Sequence, residues 1–163
     1  MKKIKWILIV LNLIGLLLFF NYAIVSKEKI LDEGELVLLE LAPVDPRSLM
    51  QGDYMRLRYK ISSENFSYLD SIPKRGYYVV KLKSNGVAEK VRIQKNKEPI
   101  NKDEYIIEYT KGDWNINIGT ESFFFQEGEG EKFDVALYGG LKIDSEGNSI
   151  LVGLYDKDLN LIE

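Results

Sequence analysis

The side chains best able to do chemistry gather in residues 45–59. Asp45, Pro46 and Arg47 open the stretch, and Gly52, Asp53, Tyr54, Met55, Arg56, Leu57, Arg58 and Tyr59 follow in one run. Gly52 permits a positive-φ turn, Asp53 can cap it, and Leu57 and Tyr59 then enter a core. Arg47 can pair with Asp45 or Asp53 and hold two turns together. That reading is structural. The functional reading takes the polar loop 45–53 and the face of Tyr54, Arg56 and Arg58 as a docking surface, because Tyr and Arg are favoured at interfaces. Both readings stand on the residues alone.

Catalysis and metal binding have fewer candidates. The chain has no Cys and no His. Disulfides, thiolate chemistry, Cys- or His-based metal sites and Ser-His-Asp triads are thereby excluded. Residues 144–149 (DSEGNS) resemble the start of a calcium loop, but Ser149 and Tyr155 stand where an EF-hand needs Gly and Glu, so a hairpin turn is the reading. Residues 126–130 (QEGEG) lack the Lys-Ser/Thr ending of a phosphate-cradling loop and are acidic; weak surface binding of Ca²⁺ is the most they suggest. Among 25 acids no spacing singles out a catalytic pair. The ten Tyr, seven Phe and two Trp are assigned mainly to the core, with an exposed aromatic groove for a glycan or peptide as the alternative. No catalytic residue, metal or cofactor is expected.

These residues must be held by what the rest of the 163-residue chain builds. The span from Trp6 to Val25 is free of charge, and only Asn12, Gly15 and Asn21 interrupt its apolar and aromatic side chains. As a helix it would be ~30 Å long at ~1.5 Å per residue, the thickness of a bilayer's hydrocarbon core. Lys2, Lys3 and Lys5 precede it, whereas Lys27, Glu28, Lys29, Asp32 and Glu33 follow in near balance. The positive-inside rule then places the N-terminus in the cytoplasm and the remainder outside, on a single-pass cell-membrane protein. A cleaved signal peptide would have a shorter apolar run and small residues at its cleavage site, so an uncleaved anchor is expected. Asn12 can hydrogen-bond another transmembrane helix, although Asn12 and Asn21, nine apart, do not share a helix face. All 25 acids lie beyond this span, against 19 of the 22 basic residues, which argues against a nucleic-acid partner.

The expected organisation is a cytoplasmic tail and anchor (1–26), a charged stalk ending at Gly34 (27–34) and an extracytoplasmic β domain (35–163). Residues 35–41 read as a buried strand closed by Ala42 and Pro43. Met55, Leu57, Tyr59 and Ile61 alternate with Tyr54, Arg56, Arg58 and Lys60, a half-buried strand. Residues 62–72 are ambiguous, with a short helix through Tyr68 and Leu69 as one reading. Residues 77–82 and 87–94 form a hairpin through Asn85-Gly86. Residues 105–110, the alternating 114–118 (Trp114, Ile116, Ile118) and 123–125 are further strands. Phe133, Ala136 and Leu137 suit a helix ended by Gly139-Gly140, with a strand as the rival. A hairpin over 141–155 closes the chain. The fold class is therefore mainly β: a transmembrane helix, then a small, mostly antiparallel curled sheet or barrel with one or two short helices.

Residues 52–59 resemble the signature of the GDYXXLXY family, as do Asp45-Pro46-Arg47 upstream and the Phe-rich, Glu-Gly segment and closing hairpin downstream. Gln126 stands where members commonly carry Pro. The resemblance implies a bacterial, membrane-associated protein without a characterised activity, often encoded with or fused to a polytopic membrane protein. More loosely, residues 46–53 behind an anchor resemble type I signal peptidases. Pro43 occupies the nucleophile's position there, Ser48 falls inside the turn, and no Lys has a dyad context, although Lys81 and Lys83 sit on a later strand. The favoured function is a non-enzymatic accessory protein docking on an integral membrane partner, its oligomeric state open. A cell-envelope ligand-binding module and a degenerate signal-peptidase-like domain are the alternatives.

Overall fold

The computed structural model describes residues 2–42, 54–63, 72–112 and 115–163. Asp45, Pro46, Arg47, Ser48, Gly52, Asp53, Tyr68, Leu69 and Trp114 lie outside these residues, so the readings made on them have no structural counterpart.

A chain of Leu, Ile and Phe without Pro or a polar stripe propagates helix for as long as nothing stops it. Helix α1 accordingly runs unbroken over Lys2–Glu33, and its segment 4–33 is long and apolar enough to cross a membrane. The stretch read as a stalk is the end of this helix, and Gly34 terminates it. There the helix meets the β domain: Ile30 is buried, and the Lys142 ammonium donates to the Gly34 carbonyl at 2.8 Å. A Cβ on Gly34 would lie 2.3 Å from the Ile30 carbonyl oxygen and 3.0 Å from that of Ile143. Only glycine allows the helix end to sit this close to the sheet.

Nine strands follow among the described residues: β1 (Glu35–Glu40), β2 (Tyr54–Arg56), β3 (Arg75–Leu82), β4 (Ala88–Gln94), β5 (Glu104–Lys111), β6 (Ile116–Asn117), β7 (Ser122–Phe124), β8 (Tyr138–Ile143) and β9 (Ser149–Tyr155). They form three antiparallel sheets, ordered β1-β8-β9, β4-β3-β5-β6 and β2-β7, which do not close into a barrel. The two larger sheets are stitched by an isolated parallel bridge, Leu38 to Val87, beside the β3–β4 hairpin. In that hairpin Gly86 takes φ +80° and the Asn85 side chain accepts the Val87 N–H, as the Asn-Gly pair predicts. In the last hairpin the Asp144 carboxylate accepts the amides of Glu146 and Asn148, building the turn between β8 and β9. This is the hairpin turn expected of residues 144–149. All three sheets contribute to one core, with Val37, Leu39, Leu141 and Leu154 from the first, Met55 from the second, and Tyr78, Val80, Ile107 and Tyr109 from the third.

Two local expectations need correction. Gly139 and Gly140 do not end a helix; they lie inside β8, paired with Leu39 and Leu38 of β1. The helical stretch is a 3₁₀ turn, Gly130–Val135, which buries Phe133 and leaves Leu137 exposed. Tertiary packing decides this, because a Cβ on Gly139 would come within 2.9 Å of the Tyr59 ring and one on Gly140 within 2.4 Å of the Tyr155 ring. The strand expected through Ile61 is ladder-paired only over β2, and from Lys60 the chain turns into a single helical turn, α2 (Lys60–Ser63). The in–out alternation is nonetheless complete. Met55, Leu57, Tyr59 and Ile61 are buried, and Tyr54, Arg56, Arg58 and Lys60 are exposed.

Candidate functional site

The segment 54–59 is wedged between β7 and the end of β1. On one side β2 pairs Tyr54 with Phe124, Met55 with Phe123 and Arg56 with Ser122, and the Leu57 amide donates to the Glu121 carbonyl at 2.7 Å. On the other side Tyr59 bridges Leu41, and the Ala42 amide donates to the Arg58 carbonyl at 2.7 Å. The Tyr59 carbonyl then accepts the amides of Ser62 and Ser63, which starts α2. Lys60 reaches back to both carboxylate oxygens of Glu40 at 3.1 Å.

Tyr59 is the pivot. Its side chain is 1 % exposed, and its ring fits against the bare Cα of Gly139. Its hydroxyl donates to the Thr120 carbonyl at 2.8 Å and accepts from the Thr120 hydroxyl at 3.1 Å. Burial pushes the phenol well above its ordinary range. The loop carrying Thr120 is itself fixed, since the Glu121 carboxylate accepts the amides of Ile118 and Gly119, the latter at φ +84°. A neutral phenol locked by two bonds in an apolar core is a structural group.

The opposite face differs. Tyr54 is 45 % exposed and Phe124 73 %, with their rings 5.8 Å apart, and the side chains of Arg56 and Arg58 continue the same exposed face. The aromatic run 123–125 divides by strand alternation. Phe123 packs edge-on against Phe133 at 4.8 Å and stacks near Phe125, while Phe124 is left outside with Tyr54. Ser122, the partner of Arg56, shares an open cleft of about 440 Å³ with Lys27 and Leu31 of α1. The exposed face thus lies next to the point where α1 leaves the domain. A family model described as GDYXXLXY protein matches residues 16–154. The chain belongs to the GDYXXLXY family. No curated protein and no solved structure matches it.

The match begins inside the apolar helix and ends within β9, so it takes in the second half of α1 together with most of the β domain. Within the described part of the motif, Leu57 and Tyr59 serve the core, as the structural reading of the sequence requires, whereas Tyr54 faces out. Phe124, from the Phe-rich segment that shares the resemblance, completes this arrangement with Thr120, Glu121 and Gly139, and nothing local in the sequence links any of them to Tyr54 or Tyr59. Thr120 is 61 residues from Tyr59, and only the fold brings the two together. Of the anchor residues, Trp6 and Val25 lie exposed on α1, as does Asn12.

Other groups in this GDYXXLXY protein carry less chemistry. The Lys81 ammonium lies 2.6 Å from the Asp103 carboxylate, which raises its pKa, the reverse of what a catalytic lysine base needs. Lys83 lies 3.7 Å from Glu89. Glu104 accepts two bonds from the Arg92 guanidinium and two from Asn101, and these hold its carboxyl down at about 2. With its four acceptor sites filled, it pins the 95–103 loop to the sheet. No group of three or more Asp or Glu suited to a metal ion occurs among the described residues. A cleft of about 600 Å³ between the end of α1 and the β8–β9 turn is lined by charged side chains and isoleucines together, with Tyr105 as its one aromatic wall.

Proposed function

We propose that this GDYXXLXY protein is a non-enzymatic accessory protein, anchored by α1 in the cell membrane, whose Tyr54–Arg56–Arg58 face docks on an integral membrane partner. Its N-terminus is cytoplasmic and its β domain extracytoplasmic, in keeping with Lys2, Lys3 and Lys5 on one side of the span and the acid-rich domain on the other. The observation that carries the reading is the exposed Tyr54–Phe124 pair flanked by Arg56 and set beside the exit of α1. Large aromatics left in water next to guanidinium groups have the composition of an interface core, and their place by the anchor favours a partner in the same bilayer. An aromatic-lined binding groove takes no support from either cleft described above.

The test is affinity recovery from solubilised membranes after mild crosslinking, comparing wild type with Arg56→Glu and Arg58→Glu. Both variants should melt within about 0.5 kcal/mol of wild type, as exposed substitutions do, and lose the co-purified membrane protein. Recovery of wild type alone, or retention of the partner by both variants, would refute the docking face.

A further inference from the structure

Helix α1 contains two asparagines in its apolar span, and they differ in one respect. The Asn21 side chain donates to the Leu17 carbonyl of its own helix at 3.1 Å. The Asn12 carboxamide has no partner among the described residues, and none of the helix's apolar window is buried against the domain. With Trp6 at the start of the span, Asn12 lies about 9 Å inside the hydrocarbon, where no water is available to its donors and acceptors. A polar group in that position calls for a second helix.

Three features say which helix. A carboxamide carries both a donor and an acceptor, so it is complementary to itself. Every copy of the chain enters the membrane in the same orientation, which puts Asn12 of one copy at the same depth as Asn12 of another. Lys5, Leu8, Asn12, Gly15, Phe19 and Tyr22 follow the alternating three- and four-residue spacing of a left-handed helix pair, and space beside Gly15 is open for close backbone approach. A heterologous helix would need its own matching polar group at that depth. We propose that α1 forms a parallel homodimer in the membrane, in which the two Asn12 carboxamides exchange hydrogen bonds at the centre of the Leu8–Asn12–Gly15–Phe19 seam. This requires α1 to span the bilayer and is independent of the docking face around Tyr54.

Because the chain has no Cys, single cysteines report the seam in the full-length protein in its native membrane. Leu8→Cys and Phe19→Cys should oxidise to disulfide-linked dimers, whereas Val10→Cys and Leu17→Cys, on the opposite side of α1, should not. Adding Asn12→Leu to Phe19→Cys should lower the dimer yield about tenfold, and Asn12→Gln should restore it. Asn12→Leu makes the span more apolar, so membrane insertion is retained, and alkaline extraction of the membranes verifies it. Equal cross-linking on both sides of α1, a loss below about twofold with Asn12→Leu, or capture of a different protein in place of the dimer at the seam cysteines would overturn the proposal.

Discussion

Replacing Tyr59 by Phe removes one oxygen and leaves the shape of the core unchanged. That oxygen donates to the Thr120 carbonyl and accepts from the Thr120 hydroxyl, at 2.8 and 3.1 Å. Thr120 is 5 % exposed, so water cannot easily replace the lost partner. Two neutral hydrogen bonds at about 1 kcal/mol each, with an orphaned buried carbonyl at the upper end, give an expected loss of about 2–3 kcal/mol. For a domain of this size that corresponds to roughly 6–12 °C in Tm. The assay is thermal unfolding of the full-length protein in detergent, followed by near-UV circular dichroism. A double-mutant cycle with Thr120→Val should give a coupling of about 1 kcal/mol, the part owed to the hydroxyl–hydroxyl contact. The pH dependence supplies an independent check. The phenol is raised above its ordinary value of 10.0 by burial, so its contribution is complete below pH 10 and is lost as the unfolded chain ionises above it. Wild type should therefore destabilise more steeply than Tyr59→Phe above pH 10. A Tyr59→Phe protein that melts within 0.5 kcal/mol of wild type would refute the assignment of Tyr59 as the pivot.

Gly139→Ala should cost about 1–3 kcal/mol in a urea titration, since its Cβ would meet the immobilised Tyr59 ring at 2.9 Å. Gly34→Ala places a Cβ against two backbone carbonyls, so the end of α1 must lift from the sheet; trypsin should then cut at Lys27 or Lys29 faster than in wild type. Glu104 is lowered from 4.5 to about 2, chiefly by Arg92, so its contribution is complete above pH 4.5 and lost as pH falls toward 2. The Tm difference between wild type and Glu104→Gln should accordingly shrink across that window, and a constant difference would contradict the assigned pairing.

Much of the architecture follows from local rules. A charge-free apolar run makes the helix, Asn85-Gly86 makes the β3–β4 turn, and the Asp144 turn makes the last hairpin, because each depends on neighbours within a few residues. The alternation from Tyr54 to Ile61 correctly separates buried from exposed side chains, since side-chain direction is a property of the backbone period. What residues 139–140 would do lay beyond such rules. A Gly-Gly pair suits a helix end and a crowded strand equally, and the rings of Tyr59 and Tyr155, far away in sequence, choose the strand. The same holds for the candidate site. Composition marks Tyr54, Arg56 and Arg58 as interface types, but only the pairing of β2 with β7 adds Phe124 to them and sets them beside the exit of α1. Hydrogen bonds such as that from Tyr59 to Thr120 join residues whose separation leaves no periodicity to read. They exist because the core closes around them.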